Sequence, residues 1–224
     1  MSTPDTSGVA FIRTGTAKAV HPAKDFRETD RTILAERVGE RGFAVIIGVA
    51  EGRPRIAHAP ILLGGDRTRF HLSAGNPLSA VLRDEGWALA VITGDEAYVS
   101  PDWYEIADQV PTWNYLSVEI EGSIRVLGRD EAARLLDDLA GRYEAWLKPK
   151  APWTRAKMAP AKFEALLGGI VAFEMKIERL EGVTKLSQNK PAAEAMRIAR
   201  ELAKLDDEGA RHISRRMIRR LSAG

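Results

Sequence analysis

Thr112, Trp113, Asn114 and Tyr115 place a hydroxyl, an indole N–H, an amide and a phenol at the start of a strand-like stretch. Far downstream, Lys185, Ser187, Gln188 and Asn189 place an ammonium, a hydroxyl and two amides just after another. Each stretch otherwise alternates apolar and polar residues, the period of a barrel wall with one wet face. Donors of this kind at a rim suit a ligand that is anionic or heteroaromatic. A lysine at a strand end ordinarily snorkels into solvent. Lys185, Ser187 and Gln188, after a glycine-containing turn, fit a phosphate or a ring carbonyl more specifically. Trp113 has two readings, stacking on a heteroaromatic ring or plugging an interface.

Two histidines form a second group. His58, in His58-Ala59-Pro60-Ile61, and His71, in His71-Leu72-Ser73-Ala74-Gly75-Asn76, lie on neighbouring strand-like runs and could face one cavity. They read either as hydrogen-bond donors to a ligand or as satisfied, partly buried side chains. No acidic residue stands beside either at ligand spacing and no cysteine exists, so no metal site is expected. Asn76 before Pro77 is helix-opening chemistry, and free amides at a helix start also attract anions. Ser73, Gly75 and that helix start form a candidate phosphate cradle.

The elements that must hold these groups follow from periodicity and caps. Asp30 as N-cap and Gly39 or Gly42 as stop predict a helix between them. Phe43 to Val49 is a continuous apolar run, read as a strand buried on both faces. Turns at Glu51–Pro54 and Gly64–Asp66 separate it from strands at Arg55–Leu63 and Arg69–Leu72. A helix from Asn76 to Gly86 precedes strands at Trp87–Thr93 and Ala97–Val99. Leu116 to Leu127 alternates with one wet and one dry face. Asp130 is the expected cap of a helix reaching about Trp146. A proline-containing connection follows, then a short helix, a strand through Val171, Phe173, Met175 and Ile177, and helices from Pro191 on. Six or seven short antiparallel strands with inserted helices predict a mainly β, α+β fold, a barrel with peripheral helices. The expected organisation is a flexible tail at residues 1–20, a barrel domain at 21–190 and a C-terminal helical extension at 191–224.

Composition bounds the function. The 224 residues carry 33 Lys plus Arg against 31 Asp plus Glu, a net charge of +2, with 45% hydrophobic and 29% charged residues. That balance argues against whole-surface nucleic-acid binding. The lack of cysteine excludes disulfides, thiolate metal sites and cysteine nucleophiles. No apolar run approaches a membrane span and no signal pattern opens the chain, so a cytoplasmic location without membrane contact is expected. No nucleophile elbow, Walker loop or paired-carboxylate constellation is present, so no catalytic residue is assigned. Arg211, Arg215, Arg216, Arg219 and Arg220 crowd the last helix, whose Ile213, Met217 and Leu221 give it an apolar face. Contact with DNA through them is unsupported by any DNA-reading motif.

Asp25-Phe26-Arg27-Glu28-Thr29-Asp30, Tyr98-Val99-Ser100-Pro101-Asp102-Trp103-Tyr104, Val110 to Tyr115, and Leu180-Glu181-Gly182 through Asn189 resemble the PaiB-like proteins. These are FMN-binding split-barrel proteins named as negative transcriptional regulators and related to pyridoxamine-phosphate oxidases. The resemblance covers roughly residues 20 to 200. It implies a six-stranded antiparallel split barrel and an obligate homodimer with two flavin sites at the subunit interface. The phosphate would rest on the segments containing His58, Ala59 and Pro60 and His71, Leu72, Ser73 and Asn76. The segment containing Trp113 and Asn114 would reach the flavin from the partner subunit, and that containing Lys185, Ser187 and Gln188 would close the pocket. Two positions depart from the family pattern, Ala74 for arginine and Val183 for lysine. The implied function is that of a dimeric flavoprotein regulator or an FMN-dependent oxidoreductase. The alternatives are a flavin-free regulator and a DNA-binding repressor that keep the fold.

Overall fold

The structure is a computed structural model describing residues 19–222, so nearly all of the expected tail, with its Val9–Ile12 run, lies outside the described residues. Strands β1 (Arg27–Glu28), β2 (Phe43–Ala50), β3 (Arg53–Gly64), β4 (Arg67–Ser73), β5 (Trp87–Val99), β6 (Thr112–Val126) and β7 (Ile170–Lys185) form one antiparallel sheet. The order is β1-β7-β4-β3-β2-β5-β6, and β6 pairs back onto β7. Six strands therefore close a ring, and the two-residue β1 adds to the far half of β7. This is the split-barrel architecture that the sequence predicts.

Alternation fills the ring. Ala44 and Ile46 of β2, Ala57, Ala59 and Ile61 of β3, Phe70 and Leu72 of β4 and Phe173 and Met175 of β7 point inward. Phe70 and Phe173 stack with centroids 5.5 Å apart. Helix α1 (Arg31–Arg41) and helix α2 (Pro77–Glu85) pack Leu34, Val38, Leu78 and Leu82 into the same core. Each such fully buried side chain contributes about 1.5–3 kcal/mol. The caps of both helices are those expected. Asp30 accepts from Thr32 and Ile33, Asn76 accepts from Leu78, and Gly42 and Gly86 end the helices in the left-handed region.

Two further cores lie outside the ring. Helices α3 (Arg129–Glu144) and α4 (Pro160–Leu167) bury Leu135, Leu139, Phe163 and Leu167 against Ala172 on the outer side of β7. Helices α5 (Ala192–Lys204) and α6 (Glu208–Ser222) cover Ala97, Val99, Leu116 and Leu186 where β5, β6 and β7 run past the ring.

Three expectations need correction. The cap of α3 is Gly128, whose N–H donates to Glu131 at 2.9 Å, and Asp130 lies within the first turn; the helix continues as a 3-10 turn through Leu147, as expected. The two strand pieces around Gly94 are one strand, continued through a bulge that inserts a residue between Thr93 and Glu96. Strand β2 is not buried on both faces: it alternates, and Phe43 at its start is 55% exposed.

A second bulge lies opposite Gly122, and a Cβ placed there would stand 1.8 Å from the Lys176 carbonyl oxygen. Gly122→Ala should therefore lower unfolding free energy by about 1–3 kcal/mol through overpacking. Gly64→Ala, where a Cβ meets nothing within 4 Å, should change it by less than about 0.5 kcal/mol. Urea denaturation of the two variants side by side checks the contrast.

Candidate functional site

At the upper end of the sheet, β6 begins beside the end of β7, with Tyr115 opposite Lys185. Alternation separates neighbours into different environments. Trp113 is 53% exposed and meets Tyr98 edge-on at 5.9 Å. Asn114 is 0% exposed and faces α6. Its amide donates to Ser187 Oγ at 2.9 Å and approaches Met217 Sδ at 3.5 Å, and Ser187 Oγ donates back to Asn114 Oδ1 at 3.2 Å. Ser187 holds a left-handed φ of 57°, uncommon for a residue with a side chain. Gln188 accepts from the Leu186 N–H at 2.7 Å and donates to the carbonyls of Asp25 and Thr184. These three polar side chains tie β6, β7 and α6 together, and their bonding capacity is largely spent on that.

Thr112, Trp113 and Lys185 at this end stay at least partly accessible. The Lys185 ammonium donates to Thr112 Oγ1 at 2.6 Å and lies 5.8 Å from the Phe26 ring centroid. Partial burial lowers its pKa. Lys190 stands nearby over the Tyr104 ring, and burial raises the Tyr104 pKa. Val183 is buried, and its carbonyl accepts from the buried Arg37.

The histidine group lies on β3 and β4. Ala59 and Leu72 point into the barrel core, so they offer a ligand no side chain. His58 is exposed and stacks on Phe43 at 6.3 Å. His71 alternates with Phe70 and Leu72 and so faces outward, yet its Nδ1 is buried without a hydrogen-bond partner. The 73–76 turn uses most of its own donors. Ala74 N–H bonds the Gly169 carbonyl, Asn76 N–H bonds the Ser73 carbonyl, and the Asn76 side chain caps Leu78. The Ser73 hydroxyl and the Gly75 N–H remain free of protein partners among the described residues.

Within one chain the two groups do not meet. Ser73 pairs with Ile170 at the start of β7, whereas Lys185 ends that strand. The intervening rise is on the order of 50 Å along the strand. The outer face of β2, β3 and β5 presents Phe43, Val45, Ile47, Ile56, Leu89 and Val91, each exposed or half-buried among the described residues. Ile56 is 57% exposed. The continuous apolar run of β2 was the sequence signal for this second apolar face. A cavity of about 890 Å³ lies elsewhere, between α3, α4 and the 145–159 connection around Trp153 and Phe163, and contains none of these groups. The orphaned His71 nitrogen had no signal in the sequence.

A closed antiparallel ring whose strands run on past the closure, under a helical hairpin, defines a split-barrel protein. Residues 20–179 match the family described as "Putative FMN-binding domain", and the chain belongs to it. It is 28% identical over 198 residues to the "Protease synthase and sporulation protein PAI 2" of Bacillus subtilis, spanning 87% of this chain and 94% of that protein. Its fold is similar to a FAD and haem binding protein from Mycobacterium smegmatis, with TM-score 0.55, 20% identity and coverage of 76% and 78% of the two chains. It also resembles the flavocytochrome Anf3 of Azotobacter vinelandii, with TM-score 0.57, 13% identity and coverage of 86% and 78%. No helix among the described residues is long and apolar enough to cross a membrane.

Burial lowers the His71 pKa, so folding favours the neutral ring. Its contribution to stability is complete above the ordinary imidazole value of about 6.5 and is lost as pH falls through the lower folded value. Urea unfolding between about pH 5 and pH 7.5 should show the wild type losing more stability on acidification than His71→Gln. Parallel pH profiles would remove His71 from the account.

Proposed function

We propose that the protein is a homodimeric FMN-binding flavoprotein of the PaiB-like regulatory group, each flavin lying between the His71 group of one subunit and the Lys185 group of its partner. The observation that supports this reading is the placement of the two groups at opposite ends of β7, in a chain of the family described as "Putative FMN-binding domain". A second subunit is the economical way to join them, because closed twofold assembly puts the upper end of one chain beside the flank of the other. The bare apolar face of β2, β3 and β5 supplies the contact area that such a dimer needs.

The residues fit the group. His71 Nδ1 is a buried nitrogen without a partner, and the Ser73 hydroxyl and Gly75 N–H are uncommitted. Together they offer hydrogen bonds to a terminal phosphate, while Lys185 supplies the charge that Ala74 does not. One phosphate suits FMN better than FAD in this small cradle. Trp113 offers a flat apolar surface for a heteroaromatic ring. When bound, the flavin supplies hydride and single-electron transfer, and the chain supplies position and electrostatics. Asn114, Ser187 and Gln188 act in this scheme by holding the Lys185 end in place. A cytoplasmic setting agrees with this role.

Ala74 favours a second reading, a flavin-free regulator on the same fold. Calorimetry with FMN, FAD and riboflavin separates the two. FMN should bind more tightly than riboflavin, Lys185→Ala should weaken FMN by about 10- to 100-fold, and no binding by any of the three would favour the flavin-free form. A complementation experiment tests the shared site. His71→Ala and Lys185→Ala homodimers should each bind FMN poorly, whereas mixed dimers should regain one intact site per dimer. Mixed dimers as poor as their parents would sink the intersubunit site. Phe43→Glu should give a monomer in sedimentation at micromolar concentration if the bare face is the dimer contact.

A further inference from the structure

Helix α6 carries its arginines onto a concavity that the flavin reading does not use. Residues 215, 216 and 219 share a helix face with His212, one turn earlier. That face looks across at the end of α1 and at the β5 bulge, enclosing about 340 Å³ between Arg41, Arg215, Arg216, Arg219 and His212. Glu40 and Asp95 are the two carboxylates on its wall. A small void of about 20 Å³ lies against the same Arg41, Asp95 and Arg216, and Arg37 lines it.

The carboxylates are already engaged. Glu40 accepts from Arg216 at 2.7 Å. Asp95 accepts from Arg41 at 3.3 Å, and His212 Nδ1 stands 3.3 Å from its other oxygen. Arg215 and Arg219 have no carboxylate partner among the described residues. Arg37 is 8% exposed, and its Nε is buried without a hydrogen-bond partner. Its other nitrogens reach the Val183 carbonyl and the Thr184 hydroxyl. Four guanidinium groups, those of Arg41, Arg215, Arg216 and Arg219, thus share the concavity with two carboxylates, and Arg37 behind it is paired with Glu28 at 3.8 Å. A folded chain tolerates such convergence when an anion completes it.

We infer that this concavity is a second ligand site, separate from the flavin site, for a small anion carrying a diphosphate group. The volume sits at the lower limit of small-molecule pockets, about 300 Å³, which suits a diphosphate moiety. Guanidinium forks match phosphate oxygens in geometry as well as charge. A concave wall on three elements also disfavours a nucleic-acid duplex, which needs an extended basic surface. Burial lowers the pKa of the neighbouring Arg37, Glu28 and Glu40 oppose this, and the Arg216 charge adds to it.

Inorganic pyrophosphate is the probe, titrated calorimetrically into the full-length protein at about 0.15 M salt, with and without FMN. Saturable binding near one per chain, with a raised melting temperature, is expected. Arg215→Gln with Arg219→Gln should weaken it at least tenfold. Arg211→Gln with Arg220→Gln removes the same charge from the same helix outside the concavity, and should leave binding within about twofold. Both double variants have exposed or half-exposed side chains, and matching circular dichroism would confirm folding. Equal losses in the two doubles, or no saturation, would overturn the assignment. One-for-one displacement by FMN would make this the flavin site and also overturn it. Duplex DNA that binds without competition from pyrophosphate would reassign the arginines to nucleic acid.

Discussion

Strand β7 is hydrogen-bonded along both edges. On one side it follows β6 from Val126 to Tyr115; on the other it meets β4 over its first half and β1 near its end. Remove that double pairing and the ring opens, and every other arrangement goes with it. The buried Phe70–Phe173 stack, the support for α3 and α4, and the position of Lys185 all hang on this strand. The closeness it demands is visible at Gly122, where the neighbouring backbone leaves no room for a Cβ. A closed ring also removes the free edges through which sheets aggregate.

The ends of β7 serve different neighbours, and this explains why the candidate site is divided. At its start the strand holds the 73–76 turn through Ile170 and through the bond from Ala74 to Gly169. At its finish it is pinned by Asn114, Ser187 and Gln188 to β6 and α6. The polar groups at that finish divide into those that stabilise the junction and those left over for a ligand. A rigid junction costs three good donors, and what it secures is a fixed position for the lysine. The outer face of β2, β3 and β5 adds an apolar surface that belongs to neither end.

The fold was legible where a local rule decides the outcome. Asp30, Asn76-Pro77, Gly42 and Gly86 behave as their chemistry requires because a cap is settled within a single turn. The alternation of Leu116 to Val126 likewise reports its two faces directly. Legibility failed where a residue's role depends on what packs over it. Asn114 and Trp113 are adjacent polar-tipped residues at a strand mouth, and no local rule says which one α6 will cover. Asp130 looked like a cap until Glu131 was seen reaching back to Gly128.

The bulge in β5 has a consequence for how this chain can vary. Below it Ala88, Ala90 and Ile92 are buried; above it Ala97 and Val99 are, so one inserted residue exchanges odd for even. Sidedness along this strand therefore behaves as a reading frame. Loss or gain of one residue between Thr93 and Glu96 would turn Tyr98 toward the helices and Ala97 toward solvent, with Asn114 and Trp113 still held in their old phase on β6. Most surface turns accept a change of length, but this one transmits it as an inversion of everything beyond. Descendants of this chain should keep its length here more strictly than they keep its residues.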